Sequence, residues 1–494
     1  MIAMTMAELA DITGGSLHDA DPDVQVTAPA TVDSRQVEPG SLFVAIEGER
    51  TDGHRFAGRA VAGGAAAVLC TKAVDAPSLL VEDAVIALGK IAAQVVRRLD
   101  HCTVVGITGS QGKTGTKDLL RQILSAHGET VAPQGSFNNE LGVPLTICQA
   151  TESTRFLISE MGARGPGHIA YLCGIALPRI GMVLNVGVAH LGEFGSRDNI
   201  AAAKGELVES LPPGGTAVLN ADDDAVAAMA ARTTARVSYF GLHRGADVRI
   251  EDLSVAGTGE PSFSLVVGER RAAVRLPLLG EHQALNAAAA TAAALAAGID
   301  LDDIVATLTH ARSLSSWRME RHQREDGLVV VNDAYNANPD SMRAAVRTLA
   351  TMVGGRTHGV AVLGTMLELG DGSSQEHAAI GRLVVEEGLS LVAVGDGALD
   401  IHHGALDAAK STTWDGSSVA VGSVEEAVAW LEDHLSPSDV ILVKASRAAG
   451  LERVAASLLQ GSRHTSVVAS RVPTRDHGDV QDPQQEPHEG TQTR

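Results

Sequence analysis

Gly106-Ile-Thr-Gly-Ser-Gln-Gly-Lys113-Thr114 is the stretch that decides the fold: a β-rich run over residues 103–107 breaks into glycines and restarts as a helix. Gly109 and Gly112 let backbone N–H groups turn toward an anion across Ser110 and Gln111, and the new helix adds the positive end of its dipole. Lys113 can reach outer phosphates, and Thr114, followed by Gly115, can hold Mg²⁺ through its hydroxyl. The ligand that fits is a nucleoside triphosphate. The general pattern GxxxxGK[ST] would put its first glycine at position 107, where this chain has Ile, so the loop is a shifted variant. The rival reading is a glycine-rich turn that only joins strand to helix. The adjacent Lys-Thr pair and the apolar helical face Leu119, Leu120, Ile123 and Leu124 argue against it.

Upstream, residues 1–102 carry short apolar runs at 41–46 and 65–70, broken by glycine-rich turns, which predicts a small α/β domain. Downstream, over 103–312, apolar strands alternate with helices. The runs 155–159 and 180–184 are continuously apolar, as in a parallel sheet covered on both faces. An alanine-rich helix over 280–298, ended by a glycine, closes this domain. The pattern restarts over 313–464 with strands at 328–331, 360–364, 391–395 and 440–444 and a helix at 339–352, N-capped by Asn338 with Pro339 at its first position. Residues 465–494 are rich in Gln, Asp, Pro, His and Arg and read as a disordered tail; its His477 and His488 lack metal-ligand spacing. The expected fold class is therefore α/β in three domains, a small N-terminal unit, a central parallel-sheet ATPase domain and a C-terminal Rossmann-like domain.

The 494 residues, 45% of them apolar, suffice for several cores. No run of about eighteen apolar residues occurs, and residues 1–14 lack the basic and apolar segments of a signal peptide, so a cytoplasmic location without membrane insertion is expected. Cys70, Cys102, Cys148 and Cys173 form no CxxC pair and read as buried free thiols. A net charge of −21 argues against nucleic acid or anionic membranes as partners, so anionic substrates need a local basic pocket. A monomer is the expected state.

In open parallel sheets, ligands bind beyond the carboxyl ends of the strands. Glu160 ends one such run, where a carboxylate could meet the magnesium of a bound nucleotide; a solvated strand-end Glu fits the position equally. His190 lies in the loop after another strand and suits a metal ligand or an ordinary loop histidine. Lys204, on a helix further on, is of interest only in the company of those two, because an isolated lysine there is normally a surface residue. Asp333 leads into Tyr335 and Asn336, a loop suited to a ribose or base, or to an Asx turn. Lys444, Ser446 and Arg447 offer two cations and a hydroxyl to a carboxylate, with a helix-entry turn as the alternative.

Ordered segments then accumulate: Asp33-Ser34-Arg35, the phosphate loop, Asn138-Asn139-Glu140-Leu-Gly142, Glu160-Met-Gly162, Asn185-Val-Gly187-Val-Ala-His190, Ala203-Lys204-Gly205-Glu206, Asp333-Ala-Tyr335-Asn336-Ala-Asn338-Pro339 and Lys444-Ala-Ser446-Arg447. Across residues 30–460 the chain resembles the Mur ligases, most closely the branch that joins D-alanyl-D-alanine to UDP-N-acetylmuramoyl-tripeptide. The resemblance implies an ATP-dependent ligase that activates the tripeptide carboxylate as an acyl phosphate and then passes it to the dipeptide amine. It further implies that Ser34, Arg35, Asn138 and Asn139 contact the UDP-sugar peptide, and that Lys444, Ser446 and Arg447 contact the dipeptide. Asn286, Arg318, Asp333, Tyr335 and Asn336 would join the phosphate loop in binding ATP. Lys113, Glu160, His190 and Lys204 would be catalytic. Thr114, Glu160, His190 and Lys204, the last as a CO₂-derived carbamate, would hold a pair of Mg²⁺ ions. Three positions depart from the family pattern: Gly115, Trp317 in place of glycine, and Ala445 in place of glycine. The Asp-Asn-Pro-Arg segment of the sister ligase that adds the third amino acid is absent. Folylpolyglutamate synthase is a more distant relative with the same reaction logic. A non-catalytic nucleotide-binding relative would be expected to have lost Glu160, His190 or Lys204, and this chain keeps all three.

Overall fold

Thr103–Thr108, buried from Val104 onward, pairs in parallel with Phe156–Glu160 on one side and with Ile180–Val183 on the other. The computed structural model describes residues 1–48, 51–187, 194–354 and 358–460, so His190 and the 465–494 tail lie outside the described residues. Around this strand a nine-stranded sheet runs from Thr130–Val131 through Phe156–Glu160, Thr103–Thr108, Ile180–Val183, Thr216–Asn220 and Arg236–Gly241. The chain crosses from one side of Thr103–Thr108 to the other, which makes the end of that strand a topological switch point. Thr108, Glu160 and the residues after Val183 therefore share one edge.

Beyond Arg236–Gly241 the sheet continues as Val248–Val255, Pro261–Val267 and Arg270–Arg275, the last two antiparallel to their neighbours. The strand-helix alternation expected over 103–312 fails here. The local signal is the period-two run Ser262-Phe263-Ser264-Leu265, with Phe263 and Leu265 buried, ending at a turn through Gly268 with φ +58°. One face of this extension is covered by His282–Ala296, the alanine-rich helix expected from the sequence. Its small side chains let it lie close to both the sheet and the phosphate-loop helix Lys113–Ser125.

The C-terminal sheet orders Glu320–Gln323, Val329–Asn332, Val440–Lys444, Gly359–Leu363, Ser390–Val394 and Ser418–Val421, parallel except for the first. Helix Pro339–Val353 starts as the sequence requires: Asn338 Oδ1 accepts from Ser341 N at 2.9 Å, and Pro339 sits in the first turn, where its missing N–H costs nothing. The N-terminal sheet orders Ser16–His18, Ser78–Leu80, Ala67–Cys70 and Leu42–Val44. Its helix Ala84–Arg97 packs on Gly142–Ile147 and His168–Ala176 of the middle region. One apolar core thus holds Leu88 and Ile91 with Leu172 and Ile175, at about 1.5–3 kcal/mol for each fully buried aliphatic side chain. All four cysteines are free and buried, and among the described residues no helix is long and apolar enough to cross a membrane.

Candidate active site

The carboxyl edges of the middle and C-terminal sheets face each other across a cavity of about 1000 Å³. Its walls include the 109–115 loop, Glu160 and Lys204 from the middle sheet side, and Asp333, Lys444 and Arg447 from the C-terminal side. Asn138, Asn139, Asn286, Arg318, Tyr335, Asn336 and Ser446 line it as well. Ser34 and Arg35 do not: the N-terminal contribution is Val32, while Arg35 lies 73% exposed against Asp33, with 2.7 Å between Nη2 and Oδ2.

The phosphate loop is held from two sides. Asn185 accepts from Gln111 N at 2.9 Å and donates to Gln111 O at 3.1 Å, and Ser110 Oγ accepts from Gly187 N at 2.9 Å. On the other side Gly112, at φ +80°, lies against Asn286; a Cβ there would stand 2.7 Å from Asn286 Oδ1. Only glycine satisfies both the left-handed backbone and that approach. Lys113 Nζ donates to Gly109 O at 2.6 Å and lies over the loop. Burial pulls its pKa down, Glu160 opposes that shift, and Arg318 adds to it. On the helix that follows the loop, the buried Lys117 pairs with Asp118 Oδ1 at 2.8 Å, donates to Pro133 O at 3.0 Å and Gly135 O at 3.3 Å, and lies 3.5 Å from Ser315 Oγ.

Glu160 closes its strand as a buried carboxylate. Its Oε2 accepts from Thr114 Oγ1 at 3.1 Å, and its Oε1 accepts from Asn138 Nδ2 at 3.0 Å. Ser136 Oγ stands 3.2 Å from the Thr114 hydroxyl, and Arg318 Nη2 donates to both hydroxyls at 3.3 Å. Lys204, on helix Arg197–Glu209, is 6% exposed, and its ammonium is disfavoured by burial and then by the Lys113 cation, which brings its pKa down to about 7. The amine is therefore far more readily uncharged near neutral pH than that of a free lysine.

Across the cavity, Lys444 Nζ donates to Asp333 Oδ2 at 2.6 Å and to Asn336 O at 2.8 Å, while Asp333 Oδ1 accepts from Met319 N at 3.1 Å. The pair is buried and mutually committed, which leaves Arg447, 51% exposed, as the freer cation of the predicted trio. Ser446 Oγ accepts from Leu367 N at 3.0 Å. Arg318 lies over the Tyr335 ring at 4.2 Å, and Arg447 over the Trp317 ring at 4.0 Å. Trp317 and Met319 both have left-handed backbones, at φ +58° and +50°, so Arg318 is presented from a strained turn, at a cost of about 1–3 kcal/mol per such residue.

Four further residues at the cavity were not reached from the sequence. Asn185 sits inside a quoted segment and Ser136 just before another, but short polar side chains in loops carry no distinctive pattern. Gln283 accepts from Asn286 Nδ2 at 3.0 Å, and His282 opens the helix His282–Ala296 with a buried, unpartnered Nδ1. Their one sequence signal is the polar pair that opens the alanine-rich helix.

Three family descriptions cover the chain in order: "Mur ligase family, catalytic domain" at residues 30–115, "Mur ligase middle domain" at 107–294, and "Mur ligase, glutamate ligase domain" at 317–447. The chain is 44% identical over 500 aligned residues to the UDP-N-acetylmuramoyl-tripeptide--D-alanyl-D-alanine ligase of Mycobacterium tuberculosis, covering 93% of this chain and 98% of that one. The chain belongs to the Mur ligase family. The Escherichia coli ligase of the same name is 37% identical over 79% of this chain and 86% of its own. Among solved structures, MurF from Acinetobacter baumannii aligns with a TM-score of 0.82 at 34% identity over 93% of this chain and 99% of its own. MurF ligase from Thermotoga maritima, in complex with ADP, aligns at 0.75 and 29% identity, over 88% and 98%. The three-domain Mur ligase architecture expected from the sequence is the one observed.

Against that Mur ligase frame, each departure has a local physical context. At Gly115 a Cβ would stand 3.0 Å from Asn286 Nδ2, so glycine leaves Asn286 room beside the loop. Ala445 fits because Gly364 faces it: a Cβ on Gly364 would lie 2.8 Å from the Ala445 methyl. Trp317 occupies a left-handed position where glycine would be unstrained, and it holds Arg447 against its ring.

Proposed function

We propose that this Mur ligase uses ATP to join D-alanyl-D-alanine to UDP-N-acetylmuramoyl-tripeptide, the last cytoplasmic step in building the peptidoglycan precursor. The observation that carries the reading is a single cavity lined by the phosphate loop, the buried Glu160 and the half-exposed Arg447, so nucleotide and acceptor can meet without leaving it. The relatives named above carry this activity in their names, and the ADP complex of the Thermotoga enzyme supports a nucleotide at the phosphate loop.

In the proposed division, residues 1–102 hold the UDP-sugar, 103–312 hold ATP, and 313–464 bring the dipeptide, with the enzyme acting as a monomer. Phosphate groups lie over the backbone N–H groups of 109–114 and are met by Lys113. Arg318 and Tyr335 flank the nucleotide, and Asn286 fixes the loop. A carboxylate oxygen of the tripeptide attacks the γ-phosphorus, the bond from phosphorus to the bridging oxygen breaks, and ADP leaves with that electron pair. The dipeptide amine then attacks the acyl carbon, phosphate leaves, and the amine gives up a proton. Lys113 and Arg318 offset charge as it gathers on the transferring group, and closure of the two sheet edges keeps water from the acyl phosphate.

The donor set suits a hard cation. Among the described residues no three His, Cys, Asp or Glu side chains gather, but the Thr114 hydroxyl and the buried Glu160 carboxylate are oxygen donors in contact. Lys204 joins them if its neutral amine attacks CO₂: an N–C bond forms, a proton leaves, and an anionic carbamate replaces a cation that would repel Mg²⁺. His190 is the remaining proposed ligand. Mg²⁺ bound there would neutralise phosphoryl oxygens.

The test is ADP release from ATP and Mg²⁺ with UDP-N-acetylmuramoyl-tripeptide, run with D-alanyl-D-alanine, with single amino acids and with no acceptor. Dependence on both the tripeptide and D-alanyl-D-alanine is the expected result. Release only with a single amino acid would assign the chain to a sister ligase, and no release with any acceptor would favour a non-catalytic relative.

A further inference from the structure

Trp317, where the resemblance to the Mur ligases led to the expectation of a glycine, stacks its ring on Arg447. Three observations converge on it. Trp317 holds a left-handed backbone at φ +58°, a conformation that a bulky aromatic residue adopts only when its surroundings impose it. Its ring lies 4.0 Å from the Arg447 guanidinium carbon. Its backbone carbonyl accepts from Tyr335 N at 3.2 Å, and its neighbour Arg318 lies over the Tyr335 ring, so the indole is anchored to the nucleotide side of the cavity.

Among the described residues Arg447 has one other tether, Glu452 Oε1 at 3.3 Å from Nη1. Carboxylate and indole hold the guanidinium from two directions while about half of the side chain stays exposed at the cavity it lines. A planar fork fixed in this way is prepared to take a carboxylate through paired N–H donors, with less side-chain freedom to lose on binding. Trp317 does not line the cavity itself, so it acts through Arg447.

We infer that Trp317 is a positioning residue for the incoming dipeptide: its indole holds Arg447 in the plane that receives the acceptor carboxylate, and its strained backbone is retained for that contact. The inference rests on the proposed acceptor site at Arg447. Glycine at 317 would relax the backbone but free the guanidinium, so stability and acceptor binding should move in opposite directions.

The test compares full-length wild-type enzyme with Trp317→Gly, Trp317→Leu, Trp317→Phe and Arg447→Ala in steady-state ligation, alongside thermal melting. Trp317→Gly should melt at or above the wild-type temperature. Its KM for D-alanyl-D-alanine should rise roughly 3- to 30-fold, the span of a lost cation–π contact, with KM for ATP and kcat little changed. Trp317→Phe should recover most of the affinity, and Trp317→Leu, which keeps bulk without a ring face, should not. Should the glycine variant fail to fold, the leucine and phenylalanine pair decides. If Arg447→Ala raises the dipeptide KM while neither ring-less variant does, the positioning role is overturned and the acceptor site stands. If Arg447→Ala leaves that KM unchanged, the acceptor site falls, and the inference with it.

Discussion

Thr114 Oγ1 donates to Glu160 Oε2 across 3.1 Å, joining the first turn of the phosphate-loop helix to the end of the neighbouring strand. The two residues are far apart in sequence and meet because Phe156–Glu160 pairs in parallel with Thr103–Thr108, whose carboxyl end feeds the loop. Both oxygen donors of the proposed cation site thus follow from strand register.

Glu160→Gln keeps the size of the side chain and removes its charge; the amide oxygen can still accept from Asn138 Nδ2, while the amide NH2 can only donate to the Thr114 hydroxyl, reversing that bond. Turnover is expected to fall by about 100-fold or more, the scale of losing one preorganised electrostatic group, with the melting temperature nearly unchanged. Activity titrated against Mg²⁺ should show a higher metal requirement in the variant; an unchanged requirement would remove Glu160 from the metal set.

Lys204 sets a pH dependence whose direction is fixed. Its folded pKa, about 7, lies below that of a free lysine, so between about 7 and about 10 the unfolded chain keeps a proton that the folded chain has lost. Stability therefore rises with pH across that window, and below it the burial penalty on the ammonium stands in full. In CO₂-free buffer, melting temperatures from about pH 7 to about pH 9 should climb more steeply for wild type than for Lys204→Met. Isotopically labelled bicarbonate should give a carbamate signal in wild type and none in the variant.

Lys117 ties the phosphate-loop helix to the 133–135 segment through Pro133 O and Gly135 O and pairs with Asp118 at 2.8 Å. Lys117→Met fills the space but leaves those carbonyls without a donor and the Asp118 carboxylate without its cation, at about 3 kcal/mol or more. Chemical denaturation should report that loss as a lower midpoint at an unchanged slope.

Gly112→Ala forces a Cβ to 2.7 Å from Asn286 Oδ1 at a left-handed position. ATP affinity is expected to drop by about tenfold or more, equivalent to about 1.4 kcal/mol, as the loop shifts off its cradle. Nucleotide binding by calorimetry reads this directly, and wild-type affinity would show that the close approach to Asn286 does not matter.

The parallel sheets, the alanine-rich helix and the Asn338-Pro339 helix start were legible because each rests on local pattern: continuous apolar runs, one residue type, one cap. The Val248–Arg275 extension was not, since its period-two signal is a short run within a region read as strand-helix alternation, and antiparallel pairing of three successive strands took the place of the expected helices. At the site, Lys113, Thr114 and Glu160 were readable from their places at strand ends. The burial that lowers the Lys204 pKa, the inward commitment of Lys444 to Asp333, and the exposure of Arg35 outside the cavity are products of packing between distant segments, and no local signal encodes them.

The most direct test is mass-spectrometric detection of the UDP-N-acetylmuramoyl-pentapeptide formed from ATP, Mg²⁺, UDP-N-acetylmuramoyl-tripeptide and D-alanyl-D-alanine, by wild type and by Lys113→Ala. Lys113 bonds only to the Gly109 carbonyl among the described residues, so its loss should leave the fold intact. Product with wild type and at least about 100-fold less with the folded variant is the predicted result. Absence of the pentapeptide with wild type, or near-normal yield from Lys113→Ala, would contradict the account.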